Sequence, residues 1–360
     1  MKNKKILMLW VLSFCLLGLK AFVIKFAGEH AELVERVYSR GIYPVISNLL
    51  TSISNIVPFS VGEIFIMFFI IGILIVLIKL IHFTIKRKFD KLILGISYVV
   101  FSIVLVTCIF DGVWLLNHYR TDIEDLMSLP IEKNNKEALV ATFEALIIKT
   151  NSLRRELPED SLSSKRDILH NAYRGYEELN KQYEFIKKDK VVVKGLLSSP
   201  IQTMSGYSGV YLFFIGEPTI NIQAPIFTLP HTACHEIAHQ KGFAEEQAAN
   251  YIGFLACKNN EDLLFQYSGY FSAMEYVGSA LLKEDSRLYY SLVKSIDGKV
   301  LEDSSYNWEF WEKAESQSAS AVVNQLNDSY LKAYNQPDGI KSYGQFVDLL
   351  IADYMVDGEV

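Results

Sequence analysis

Cysteine is scarce in this chain, and it is spread thinly. Four cysteines, at 15, 108, 234 and 257, are distributed over 360 positions. That number and scatter argue against a disulfide framework or a zinc ribbon, both of which need closely spaced pairs. Cys15 and Cys108 fall in apolar runs, as helix-packed thiols do. Cys234 and Cys257 could bridge two helices in an oxidising compartment or stay as buried thiols. Positive charge is also in short supply: 35 basic residues face 41 acidic ones, a formal net charge of −6. No segment is strongly basic beyond short clusters beside apolar runs, which argues against a nucleic-acid partner. No internal repeat is visible.

What the chain has in excess is apolar surface. Half of its residues are hydrophobic, above the usual share for a soluble globular domain. The excess is concentrated before about residue 117. Three runs, at about residues 6–27, 62–82 and 92–116, reach the length of about 20 residues that spans a hydrocarbon core. The first follows Lys2, Lys4 and Lys5, so it also has the form of a signal peptide. Lys25-Phe26-Ala27 is a poor cleavage site, however, so an uncleaved span is expected. Lys20 can then snorkel to the outer interface. Lys86, Arg87, Lys88 and Lys91 lie between the second and third runs, and such clusters stay cytoplasmic. The expected division is therefore a membrane region over 1–117 and an extracytoplasmic domain over 118–360. Between the first two spans, Ile42 to Ile56 is periodic and apolar and ends before Pro58, as an interfacial or docking helix would. The spans show no obvious paired charges, which disfavours a transporter.

Beyond the spans, Leu139, Phe143, Leu146 and Ile147 predict a helix over 136–156, closed by Pro158. A second helix is expected from Leu162 to Phe185. Val191-Val192-Val193, Val210 to Ile215 and Thr219 to Ile222 read as strands. Helices resume after Pro230. The fold class expected is mainly helical α+β, with N-terminal transmembrane helices followed by a domain carrying a small sheet.

The catalytic block is expected at 230–257. His235-Glu236-Ile237-Ala238-His239 is H-E-x-x-H, a pattern that average usage would produce in about 1 % of chains this long. Residues four apart share a helix face, so both imidazoles can converge on one metal ion. Glu236 then points toward the open coordination position, where it can take a proton from a water. Gly242 can stop the helix. Catalytic zinc sites use three protein ligands, and two carboxylates, Glu245 and Glu246, stand just beyond Gly242. Glu246 is favoured as the third ligand, with Glu245 the alternative. Asn250, one turn beyond Glu246, could steady a ligand, and His231 could act behind His235 or be a solvated helix-start residue. Val210 to Ile215 could present an edge to an extended substrate or lie in the core. Tyr343 could donate to a developing oxyanion, one choice among twenty tyrosines.

The run Thr232 to Ala244, followed by Glu246, Asn250 and Leu255-Ala256-Cys257, resembles the bacterial membrane proteins grouped as domain-of-unknown-function family 3810. The N-terminal spans, the Gly209-to-Asn221 stretch and Ser342-Tyr343-Gly344 agree with it. The resemblance covers most of the chain and implies a zincin-like fold, bound Zn²⁺ and peptidase activity, in a bacterial cell membrane. The residues and the resemblance together predict a membrane-anchored zinc metallopeptidase, a hydrolase with Glu236 as general base. Its partners would be the lipid bilayer and a peptide or protein substrate, such as a cell-envelope or membrane protein. The alternative is a non-catalytic membrane receptor or cell-envelope assembly factor with a structural zinc site.

Overall fold

The computed structural model describes residues 2–132, 135–158, 163–186, 191–333 and 343–358. Three helices come first that are long and apolar enough to cross a membrane: Lys2–Glu29, Val61–Ile85 and Phe89–Val113. Most of their large side chains stand uncovered by protein, on every face of the second, as at Phe68, Ile71 and Ile78. A helix apolar all round and bare of protein has the composition of a membrane span. The first and third pack together, with the Trp10 indole donating to Ser97. They also form an ion pair that the linear sequence does not announce. Lys20 Nζ lies 2.8 Å from a carboxylate oxygen of Asp111, so Lys20 is paired rather than left to snorkel alone. The pair corrects the expectation of spans without partnered charge. It arises because packing brings together residues 91 positions apart.

The Ile42 to Ile56 segment is helical over Tyr43–Ser54, continuing a wider helical stretch at Val34–Ile42. This juxtamembrane helix turns Tyr43, Ser47 and Thr51 inward. Ser60 caps the second span helix by accepting from the Glu63 amide, and Glu63 in turn accepts from the amides of Leu197 and Ser198. The membrane region and the rest of the chain are thus joined by specific bonds, not only by a linker.

The helix predicted over 136–156 is present at Lys136–Glu156, with Leu139, Phe143, Leu146, Ile147 and Leu153 buried against the helix Leu263–Glu284. The single helix expected from Leu162 to Phe185 is instead two, Lys165–Asn171 and Arg174–Gln182; Leu162 lies outside the described residues. The break lets Gly175 pack against the Ala256 carbonyl so closely that no side chain would fit there. Periodicity alone does not mark a break of this kind.

The sheet has three strands: β1 (Lys194–Gly195), β2 (Gly209–Leu212) and β3 (Glu217–Ile220), in the order β1-β3-β2. β1 runs parallel to β3, and β2 runs antiparallel to it with Val210 opposite Thr219. β1 is shorter and later than its apolar run suggested, β2 is shorter, and β3 begins two residues earlier than expected. Val191 and Val193 are buried in extended chain, but pairing begins only at Lys194. Pairing of β2 stops at Leu212, because the chain reverses through Gly216, which holds a φ of +68°. β-branched and aromatic residues mark burial as well as pairing. At the centre of the part that follows the three long apolar helices lie the motif helix, Leu229–Gln240, and the next helix, Glu246–Lys258, both buried along almost their whole length. A side chain at Gly253 would meet the backbone of His235, so these two helices touch nearly backbone to backbone.

Candidate metal centre

The motif helix starts with Pro230 in its first turn, where a missing amide costs nothing. It ends at Gln240, and Gly242 follows with a φ of +86°, the left-handed conformation that glycine adopts freely. This tight reversal brings the next helix straight back. Its first residue, Glu246, sits under the two imidazoles. His235 Nε2 lies 3.5 Å from one carboxylate oxygen of Glu246, and His239 Nε2 lies 3.7 Å from the other. The ligand atoms of all three residues fall within 4.8 Å of one another.

Those separations suit a metal ion. Tetrahedral zinc with bonds of about 2.0–2.1 Å holds neighbouring ligand atoms roughly 3.3 Å apart. Two imidazole nitrogens and one carboxylate are also a donor set that zinc accepts. His239 is preset for the task. Its Nδ1 faces the Phe243 carbonyl at 2.8 Å, which fixes the ring and leaves Nε2 for the cluster. The rings of His235 and His239 stand 4.6 Å apart and nearly perpendicular.

The electrostatics are those of charges confined together. Burial pushes the Glu236 carboxyl up to about 8, with His235 opposing the shift and Glu246 adding to it. Burial pulls His239 down to about 4, helped by the neighbouring His235. Burial also works against the His235 imidazolium, but the Glu246 carboxylate, Glu236 and Asn250 outweigh it and hold its pKa above the ordinary value. A dication at this point would favour neutral imidazoles and ionised carboxylates. Glu236 keeps one buried carboxylate oxygen, Oε2, without a hydrogen-bond partner. That orphaned acceptor beside the cluster also fits a site built around a cation and a polar ligand.

Asn250 lines the cleft beside the cluster, one turn beyond Glu246. Glu245 goes elsewhere. It occupies the cap position of the helix Glu246–Lys258, and its carboxylate accepts from the Gln247 side-chain Nε2. Burial, then Asp122 and Glu124, push its carboxyl up to about 8 against the pull of Arg120. His231 is no solvated helix-start residue: it is buried, and its backbone amide donates to Ser268 Oγ. Burial, then the charge on His235, pull its ring down to about 3. Tyr343 opens the helix Tyr343–Asp357, but its side chain lies outside the described residues, as does Ser342. Cys234, on the motif helix, and Cys257, on the next helix, are free buried thiols.

The cluster opens into a cleft of about 680 Å³ lined by His235, Glu236, His239 and Glu246. β2 forms one wall through Gly209, Val210 and Tyr211. It is an edge strand, paired only to β3 among the described residues. Gly209 is required there, since a Cβ would come 2.5 Å from Glu236 Oε1 and 2.8 Å from Thr232 Cγ2.

Sequence reasoning did not single out several neighbours. Trp114 lines the cleft, its ring edge-on to that of His239 at 6.1 Å. His118 is buried close enough to feel both His239 and Glu246, and burial above all pulls it down to about 3. Tyr276 lines the cleft, and burial, then Glu246, push its phenol up to about 12. None of the three stands in a local motif. A buried tyrosine facing a carboxylate cannot be told from nineteen others by spacing.

Compared with known protein families, residues 38–351 match one described as "Protein of unknown function (DUF3810)". No curated protein and no solved structure matches the chain.

Proposed function

The chain belongs to the DUF3810 family, and we propose that this member is a membrane-anchored zinc metallopeptidase with its catalytic domain outside the cytoplasm. The observation that carries the reading is the convergence of His235 Nε2, His239 Nε2 and the Glu246 carboxylate within 4.8 Å, on the wall of a cleft that also presents Glu236. His235, His239 and Glu246 would hold the ion. Zinc so held supplies Lewis-acid polarisation of a scissile carbonyl and makes water a better nucleophile at neutral pH.

The remaining chemistry falls to the chain's own groups. The reaction is the addition of water across the amide C–N bond. Glu236 accepts a proton from the attacking water at a carboxylate oxygen and passes it to the leaving nitrogen, so one carboxylate serves as base and then as acid. Gly209 gives Glu236 the room to stand there. β2 offers an extended substrate a strand to pair with, beside the reacting carboxylate. The Phe243 carbonyl holds the His239 imidazole in place. The topology rests on Lys86, Arg87, Lys88 and Lys91, which sit at the turn remote from the cleft and favour the cytoplasmic side.

The test uses the full chain in detergent micelles or nanodiscs. Zinc per chain is measured, and cleavage of a diverse peptide library is followed for the native protein and for Glu236→Gln. About one zinc per chain in both, with cleavage lost in the variant, is the expected result. Cleavage that persists in Glu236→Gln refutes the mechanism. Zinc without cleavage in the native protein favours a receptor or assembly factor.

A further inference from the structure

The strongest unexplained feature is the juxtamembrane helix, Tyr43–Ser54, because its polarity is inverted. Its inward face is polar: Tyr43, Ser47, Thr51 and Ser54 are buried. Its outward face is a stripe of large apolar residues. Ile42, Val45, Leu49, Ile53 and Ile56 are 50, 69, 63, 49 and 79 % exposed. A helix with this arrangement is stable in water only if something apolar covers the stripe. The lipid surface is the occupant that continuity with the spans supplies. Lys194 Nζ donates both to the Ser54 carbonyl at the end of this helix and to the Phe59 carbonyl just before the second span. The stripe therefore ends where a membrane-crossing helix begins, and an amphipathic helix in that position lies in the interface plane.

The metal cluster is bonded to this same helix. Tyr43 Oη and Ser47 Oγ both donate to the Gln240 carbonyl at 3.1 Å, and the Gln240 amide donates to Thr51 Oγ1 at 2.7 Å. Gln240 is the residue after His239. From the third span, Trp114 follows Val113 directly and reaches the His239 ring at 6.1 Å. An extended chain covers that distance in about two residues. The β2 wall of the cleft continues into Phe213 and Phe214, which pack on Phe110 of the third span at 4.8 Å and Phe65 of the second at 5.2 Å. Trp114 also has the residue type and place of an interfacial anchor.

We infer that the cleft opens at the membrane surface and takes polypeptide that adjoins a transmembrane span, a juxtamembrane segment of another membrane-anchored protein, in preference to free peptides. The inference names the substrate class of the site and in that respect rests on the peptidase reading. Lipid depth and substrate source both follow from the helix stripe, the span contacts and the edge strand. A substrate already confined to the bilayer meets the cleft at a raised effective concentration.

Two measurements test it, and both are independent of turnover. The first places Leu49→Trp in a full chain whose Trp10, Trp114, Trp308 and Trp311 are phenylalanine, in nanodiscs of brominated phosphatidylcholine. Bromines near the headgroups should quench the new indole more than bromines deep in the acyl chains; no quenching overturns the placement. The second uses Glu236→Gln with native tryptophans and compares capture of one extended segment in two forms, free or attached by a short spacer to a transmembrane helix in the same nanodisc. The attached form should be captured roughly 10-fold better or more, and a spacer of about 25 residues should abolish the preference. Equal capture of the two forms, or capture of neither, overturns the inference. If the native protein cleaves neither form while the preference holds, the peptidase reading fails and the membrane-adjoining ligand class stands.

Discussion

Removing the carboxylate of Glu217 should loosen the joint between the membrane region and the sheet, and its effect can be worked from contacts. Glu217 is fully enclosed and accepts from Ser60 Oγ, from the Val61 and Gly62 amides at the start of the second span helix, and from Lys194 Nζ at 2.7 Å. Glu217→Ala strips Lys194, itself 2 % exposed, of its counter-charge and leaves it only the carbonyls of Ser54 and Phe59. Breaking a buried pair from one side costs about 3–5 kcal/mol. Lys194→Met should cost less, because the carboxylate would keep three donors and the positive end of a helix. Chemical denaturation of the full chain in micelles, followed by tryptophan emission, reads both changes. A cost below about 1 kcal/mol for Glu217→Ala, as for an exposed pair, or a larger cost for Lys194→Met, refutes the reasoning. The pH dependence has a definite sign. Burial alone would raise the Glu217 pKa, but Lys194 and the span-helix donors outweigh it and hold the carboxyl below the usual carboxylate range. A native pKa below the unfolded one gives stability that is complete above the unfolded value of about 4.3. That contribution is lost as pH falls through the lowered native value. Glu217→Gln should flatten this acid limb.

Glu246→Gln should weaken zinc binding roughly 100-fold, about one ligand's share of a zinc site, while Glu245→Gln should leave it unchanged; competition with a zinc-sensitive dye reads both, and equal losses would mean the wrong carboxylate has been chosen. Gly209→Ala should displace the Glu236 carboxylate and lower turnover by ~100-fold or more at unchanged zinc content, and retained turnover would show that Glu236 has room to spare. A fragment beginning at about residue 121 should be poorly folded, since it lacks Tyr43, Ser47 and the Arg120 guanidinium that donates to the Gly242 carbonyl; a monomeric, zinc-loaded fragment with a sharp unfolding transition would contradict this.

Features with a strong local signal were legible in the sequence. The three long apolar helices follow from run length, the helix Lys136–Glu156 from its periodicity, and the end of the motif helix from Gly242. Features decided by a distant partner were not. The break between Asn171 and Arg174 answers to Ala256, and the short pairing of β2 answers to the Gly216 turn and to the spans that receive Phe213 and Phe214. Lys20 and Asp111 lie 91 positions apart, in two different apolar runs. Only helix packing made them a pair.

The candidate site divides along the same line. His235 and His239 needed only the 3.6-residue helical repeat to share a face, and Glu236 directly follows the first of them, so spacing alone singled out all three. Spacing left Glu245 and Glu246 equivalent, because two adjacent residues at a helix start point about 100° apart and either could turn inward. The reversal at Gly242 and the close contact of Gly253 on His235 decided between them, directing Glu246 to the imidazoles and Glu245 toward Asp122 and Arg120. Trp114 and His118, Gly209, and Tyr276 reach the cluster from three separate parts of the chain. Their proximity to it is set by packing across the whole molecule, which no local pattern encodes.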